Sequence, residues 1–271
     1  MTATAAGRLA FLIYLALFFA VLLLPLAIMG ITAFNVPAYP QVLPFEGPTL
    51  RWFAELASDA PLIEGLLTSL RIGVLVVALS LVLGLAGAML LHQGGGRWLY
   101  VLLIAPILTP GVVIGIGTVV FWRDLSRATG LIGAYDGMLL TVFAQTSFIA
   151  SYCMLILSAR LNRLDPALEE AARDLGASPL QSLRHVVLPH LRPALVTAGF
   201  LAFLSSVENY NATTFAILAD KTFTTVLYGK IRLGLSPAIS ALAVLMILAT
   251  LLLIGLTGML RKTTPSKDRV S

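Results

Sequence analysis

Charge is scarce in this sequence. Of its 271 residues only 11% are Asp, Glu, Lys or Arg, against 58% that are hydrophobic, and the mean hydropathy is +0.94. A water-soluble chain of this length has no interior large enough to hide so much apolar surface, so the composition leaves a membrane-embedded protein. Cysteine is nearly missing: Cys153 stands alone inside an apolar run, which excludes a disulfide framework. Histidine is scarce too. His185 and His190 lie five apart, a spacing that does not set two ligands on one helix face, and only His92 remains to join them, which argues against a metal centre. No Gly-x-x-x-x-Gly-Lys-Ser/Thr loop occurs. Gly94-Gly95-Gly96 runs into Arg97 and Trp98 and reads as a tight turn, not a phosphate cradle. No nucleophile stands with a positioned base. No basic run carries interleaved aromatics, so the formal net charge of +5 points to lipid headgroups and away from nucleic acid. The chain reads as non-catalytic.

What is present is long apolar runs. A spanning helix needs about 20 mostly apolar residues, and the sequence offers six candidates, at about 9–34, 66–91, 98–121, 138–158, 194–217 and 237–260. The runs are too long and too uniform for the alternating strands of a β-barrel. The expected fold is therefore all-α, a polytopic membrane protein with six transmembrane helices. The first run has no small-residue cleavage site and reads as a retained anchor. Pro25, Pro106 and Pro110 fall inside spans, and Gly111-x-x-x-Gly115 fits ordinary close packing of helices. Six spans put both termini on one side. Eleven of the eighteen basic residues fall on that side, among them Arg8, Arg97, Arg163 and Arg184, which makes it the cytoplasmic side. Three regions follow. Residues 1–65 form an anchor helix and an outer loop, with a short surface helix near Leu50 to Leu56 whose Trp52 and Phe53 suit an interfacial belt. Residues 66–260 form a core of five spans, and 261–271 form a polar cytoplasmic tail.

Between the fourth and fifth spans lies the most informative stretch, the loop 159–193. Asp165 is placed to cap a helix whose first residue, Pro166, needs no N–H. Gly176 is placed to end it in the left-handed conformation. Ser178 and Gln181 then make a capping box that restarts a helix, and Pro189 and Pro193 close the segment. The sequence here resembles the EAA loop of ABC importer permeases: Glu170, Ala171, Ala172, Gly176, Leu188 and Pro189 stand at that family's spacing, and the likeness extends over about residues 60–260. The resemblance implies that the loop, with Ser178 capping its second half, is a coupling helix that docks on an ATPase subunit. It also implies two such ATPases carrying ATP and Mg, a second permease subunit (a paralogue in preference to a copy), an external solute-binding protein, and an inner-membrane location.

The feature placed to meet a solute is the polar stretch Ser205 to Thr214 in the fifth span. An ionisable residue inside a span is costly and faces the bundle interior or water. On a continuous helix Glu208, Asn211 and Ser205 share a face, with Asn209 beside them. Glu208 is open to three readings: part of a solute path, a member of a buried network pairing with Arg71, or a hydrated group near the outer interface. A carboxylate in a path favours a cation. The chain is also similar to the second permease of spermidine/putrescine-type importers, although it carries Gln145 where many of those have His. The rival solutes are an amino acid, a metal ion or an anion. The rival classes are a secondary transporter driven by an ion gradient and a non-transporting assembly factor. The first of these gives no reason for a capped hairpin and is expected to show repeats; the second gives none for the polar stretch.

Overall fold

The structure is a computed structural model that describes residues 5–262 except 131, 132, 134 and 235. The described residues are helical, joined by turns, and contain no strand beyond one isolated bridge between Asn35 and Pro48. The chain divides into two compact units, one from residues up to Ala60 and from Leu227 onward, the other from Pro61 to Val226.

The first unit holds α1 (Ala5–Phe34), α2 (Arg51–Ala57) and α12 (Pro237–Lys262), with α11 (Phe223–Leu233) reaching into it. Helix α12 packs on α1 and α2 around Ala33, Trp52 and Ala241, and Thr32 donates to Ser240 across the α1–α12 contact. The last helix thus belongs with the anchor helix, although the sequence groups it with the core. Lys230 forms an ion pair with Asp59. The short helix at 51–57 forms where it was expected, but Trp52 is buried, not part of an interfacial belt. Its indole Nε1 donates to Asn35 O at 2.7 Å, and that partner lies 17 residues away. The polar tail beyond Lys262 lies outside the described residues.

The second unit holds α3 (Ala60–His92), α4 (Arg97–Leu108), α5 (Gly111–Thr129), α6 (Gly137–Leu161), α7 (Pro166–Asp174), α8 (Pro179–Ser182), α9 (Leu188–Val207) and α10 (Thr213–Ala216). Helix α6 is the hub and touches α4, α5, α9 and α10. Its buried residues include Ile149, Cys153, Met154 and Leu157. Between helices in lipid there is little hydrophobic drive, so close packing must hold them. Glycine provides it: a Cβ at Gly84 of α3 would stand 2.6 Å from Cys153 Cβ, and one at Gly87 would stand 3.3 Å from Met154 Cγ. On the other side of α6, Phe143 stacks on Trp122 of α5 with ring centroids 4.5 Å apart.

Among the described residues four helices are long and apolar enough to cross a membrane: Gly7–Phe34, Ala60–His92, Gly137–Leu161 and Pro179–Val207. A fifth arises if α4 and α5 count as one span, but these are bent by 102° at residues 109–110. The single third span expected at 98–121 is therefore two helices. The cause is local. Pro110 has no N–H to continue the α4 ladder and biases Thr109 towards the extended conformation it adopts (ψ 130°). The fifth span also differs from expectation, since its helix stops at Val207, ten residues short of 217.

Candidate functional site

Two features stand at opposite ends of the same long helix. The first is the hairpin between α6 and α9, where the caps and the left-handed turn that the sequence signals are formed. Asp165 accepts from Ala167 N at 3.0 Å, and Pro166 opens α7. Gly176 takes φ +81°, with its N–H on Arg173 O at 2.8 Å and the Ala177 N–H on Ala172 O at 3.0 Å. That pair of bonds is a Schellman C-cap, which requires the left-handed residue. Ser178 N donates to Gln181 Oε1 at 2.7 Å and Gln181 N to Ser178 Oγ at 3.4 Å, closing the capping box.

Pro189 and Pro193 do not close the segment. The helix restarted at Pro179 runs on through a π segment, Leu183–Val187, into α9. Pro189 cannot donate to His185, and its ring crowds that carbonyl. The ladder widens just before it, so that Leu188 N–H reaches back five residues to Leu183 O.

The base of the hairpin is anchored and its tip is bare. Leu161, Leu164, Val187 and Leu191 form a buried cluster against Leu85 and Met89 of α3. Arg160 Nε donates to His190 O at 3.2 Å. Glu169 meets His92 Nε2 at 3.6 Å and Arg173 at 3.5 Å. At the tip, Leu175 is 90% and Leu180 72% exposed. Glu170 and Ala171 are exposed and Ala172 half-buried. Arg173 pairs with Glu169 and not with Glu170. Leu188 and Pro189 sit at the start of α9, remote in sequence from the tip.

The second feature is where α9 ends. Glu208 is its C-cap and is exposed; Asn209 to Asn211 form a turn, and α10 follows. Glu208 and Asn211 therefore do not share a helix face with Ser205, as a continuous helix would require. Asn209 is the reason. Its Oδ1 accepts from Ala212 N (3.1 Å), Thr213 N (3.3 Å) and Thr213 Oγ1 (3.2 Å), the side-chain-to-backbone competition by which Asn displaces a helix. No ion pair joins Glu208 to Arg71.

Behind the turn lies a network that the sequence did not reveal. Gln145 of α6 is 1% exposed. Its Nε2 donates to Thr213 Oγ1 at 2.8 Å, and its Oε1 accepts from Ser206 Oγ. One buried amide thus ties the last turn of α9 to α10, and through Thr213 to Asn209. Only the departure from His at this position gave any hint of it.

The turn lies directly against the bend of the other broken helix. A Cβ on Gly111 would stand 3.2 Å from Asn211 Cβ, and one on Gly115 only 2.5 Å from Ala212 O. The Gly111-x-x-x-Gly115 face packs on the broken backbone of residues 211–212. Two interrupted helices, an exposed carboxylate and an exposed amide meet there. Irregular backbone at membrane depth is tolerated where it is buried in protein or lines a water-filled cavity. Among the described residues no group of three or more His, Cys, Asp or Glu is placed to hold a metal ion.

Comparison with known proteins bears on the chain as a whole. Residues 80–264 match the family model described as binding-protein-dependent transport system inner membrane component. The putrescine transport system permease protein PotI of Escherichia coli (strain K12) is 30% identical over 264 residues, covering 96% of this chain and 92% of that protein. The spermidine/putrescine transport system permease protein PotC of Haemophilus influenzae (strain ATCC 51907 / DSM 11121 / KW20 / Rd) is 25% identical, covering 90% and 93%. In fold the chain is similar to one in the crystal structure of a bacterial ABC transporter involved in the import of the acidic polysaccharide alginate. That likeness has a TM-score of 0.66 at 16% identity and covers 98% of this chain and 100% of the other.

Proposed function

We propose, for a chain that belongs to the family of binding-protein-dependent transport system inner membrane components and is a permease of an ABC importer, that it forms half of a path for a small polyamine-like cation. Six spans cross the inner membrane with both termini in the cytoplasm, the bent pair α4–α5 counting as one. A paralogous permease supplies the other half. An external binding protein delivers the solute, and two ATPase subunits, holding ATP and Mg, dock on the 166–182 hairpin.

The observation that carries the cation reading is the placement of Glu208. It is exposed at a helix break, without an ion-pair partner at Arg71, beside the bend of α4–α5. A structural carboxylate in a membrane protein is expected to be paired, whereas one that attracts a solute is left open to water. The polyamine-permease relatives agree in substrate class. Alternating access follows from rocking of helix bundles driven at the hairpin.

The test is Glu208→Gln in the reconstituted complex. Glutamine keeps the size and much of the hydrogen bonding and removes only the charge. Uptake of a cationic solute should fall severalfold, less so at high salt, while assembly, basal ATPase and any neutral-solute uptake stay near wild type. Unchanged cation uptake by a fully assembled variant would remove Glu208 from the path.

A further inference from the structure

The loop between α1 and α2 is built around one residue. Asn35 is 1% exposed. Its Nδ2 donates to Gln41 O (3.1 Å) and Pro44 O (3.2 Å), and its Oδ1 accepts from Val36 N (3.1 Å) and Glu46 N (2.9 Å). Its backbone O takes the Trp52 indole. Thr49 N donates to Phe34 O at 2.8 Å, which returns the loop to the end of α1. A buried amide with its bonds filled fixes a conformation.

What this scaffold displays is apolar. Tyr39 is 78% and Leu43 81% exposed, and Phe45 and Leu50 are exposed as well. Between Asn35 and Leu50 the only charged residue is Glu46. A cluster of exposed apolar side chains on a fixed frame marks a surface that is covered in use.

We propose that residues 36–50 are a bilayer-anchoring surface, with Tyr39, Leu43, Phe45 and Leu50 seated in the headgroup–acyl boundary of the leaflet at the C-terminal end of α1. This rests on the reading that α1 crosses the membrane. The occupant follows from continuity and charge. Helix α1 is apolar and none of its most hydrophobic stretch is buried. Its exposed Ile31 and Phe34 lead directly into exposed Val36 and the loop, so the lipid-facing surface does not end at the helix. The tie between Thr49 and Phe34 holds the loop at the level of the membrane edge. Near-absence of charge removes the usual means of orienting a polar protein partner. At the loop's end Arg51 lies over the Trp52 ring at 5.1 Å and beside Leu50, a cation next to apolar surface as a phosphate layer favours.

The test uses the assembled complex in lipid nanodiscs with a bimane label at Tyr39→Cys or Leu43→Cys; Cys153 is buried and does not compete. Nitroxide lipids labelled near the headgroup should quench both positions strongly, nitroxide near the chain end should quench them weakly, and aqueous iodide should reach them several-fold less than a label at exposed Gln93→Cys, in the turn after α3. A label at Leu22→Cys, midway along α1, reports the spanning helix itself. Lipid quenching at Leu22 with free iodide access at Leu43 and Tyr39 overturns this inference alone, and iodide access at all three overturns the spanning of α1 as well. Protection from iodide that arises only when the solute-binding protein is added assigns the face to that protein and overturns it too.

Discussion

Replacing Gly176 separates backbone conformation from side-chain size at the tip of the hairpin. A Cβ added there meets nothing within 4 Å, so no packing clash contributes, while φ is +81°. The cost is therefore conformational. An L-residue in the left-handed region loses about 1–2 kcal/mol, and Asn tolerates it best among non-glycine residues. A β-branched residue tolerates it worst, so Val belongs at the upper end of the roughly 1–3 kcal/mol of stored strain. A loss of about 1.4 kcal/mol is tenfold in an equilibrium constant, and it falls on the two Schellman bonds to Arg173 O and Ala172 O. Solute-stimulated ATPase of the reconstituted complex should then rank Gly above Asn, Asn above Ala and Ala above Val, with membrane insertion unchanged in all four. Hydrogen exchange at the amides of Gly176 and Ala177 should rise in the same order. A ranking by volume, with Ala nearest to wild type and Asn below it, would refute the conformational argument and point to a steric fit against the partner. Equal activity in all four would remove the turn from coupling altogether.

Gln145→Met keeps the shape of the side chain and removes two buried bonds; at about 0.6–1.7 kcal/mol each in a membrane protein, it should lower unfolding stability by roughly 1–3 kcal/mol, and because Ser206→Ala breaks one of the same bonds, the double variant should cost less than the sum of the two. Additive losses in the denaturation series would show that the amide acts only by packing. Glu170→Arg should reduce recovery of the ATPase in a pull-down severalfold, because Glu170 is exposed while its neighbour Glu169 holds the internal contacts to His92 and Arg173; undiminished recovery would place the docking contact elsewhere on the hairpin.

The hairpin was legible because its signals are local. Asp165, Pro166, Gly176, Ser178 and Gln181 each act within four residues, through caps and φ, so the residues that spell the turns also bond in them. The two helix breaks were not, for a shared reason. Hydropathy averages over about 20 residues and passes smoothly through Thr109-Pro110 and through Asn209. The signals were present at shorter range. Pro110 followed by Gly111 punctuates a chain, and Glu208-Asn209-Tyr210-Asn211 sets two asparagines in a row of polar residues that compete for backbone groups. That the first break bends by 102° is a tertiary outcome. So is the burial of Trp52, fixed by an Asn35 carbonyl seventeen residues away, and so is the clamp from Gln145, whose partners lie 61 and 68 residues off.

Hairpin and break are joined by one helix, and this gives the proposed coupling its physical form. From Pro179 to Val207 the chain is helical for 29 residues, about 43 Å at 1.5 Å per residue. One end begins at the capping box beside the exposed Leu175 and Leu180. The other ends at Ser206, in the grip of Gln145, one turn from Glu208 and Asn211. A rod of that length transmits a push only if it does not bend, and its ladder is irregular where Pro193 has no N–H to give and at the π segment Leu183–Val187. That segment is also where Val187 joins the buried cluster with Leu161, Leu164 and Leu191. Packing against α3 and α6 therefore braces the helix at the π segment. On the proposed coupling, motion entering at the hairpin would pass along α9 to the polar break as long as that cluster holds, and would be absorbed at the π segment if the cluster were loosened.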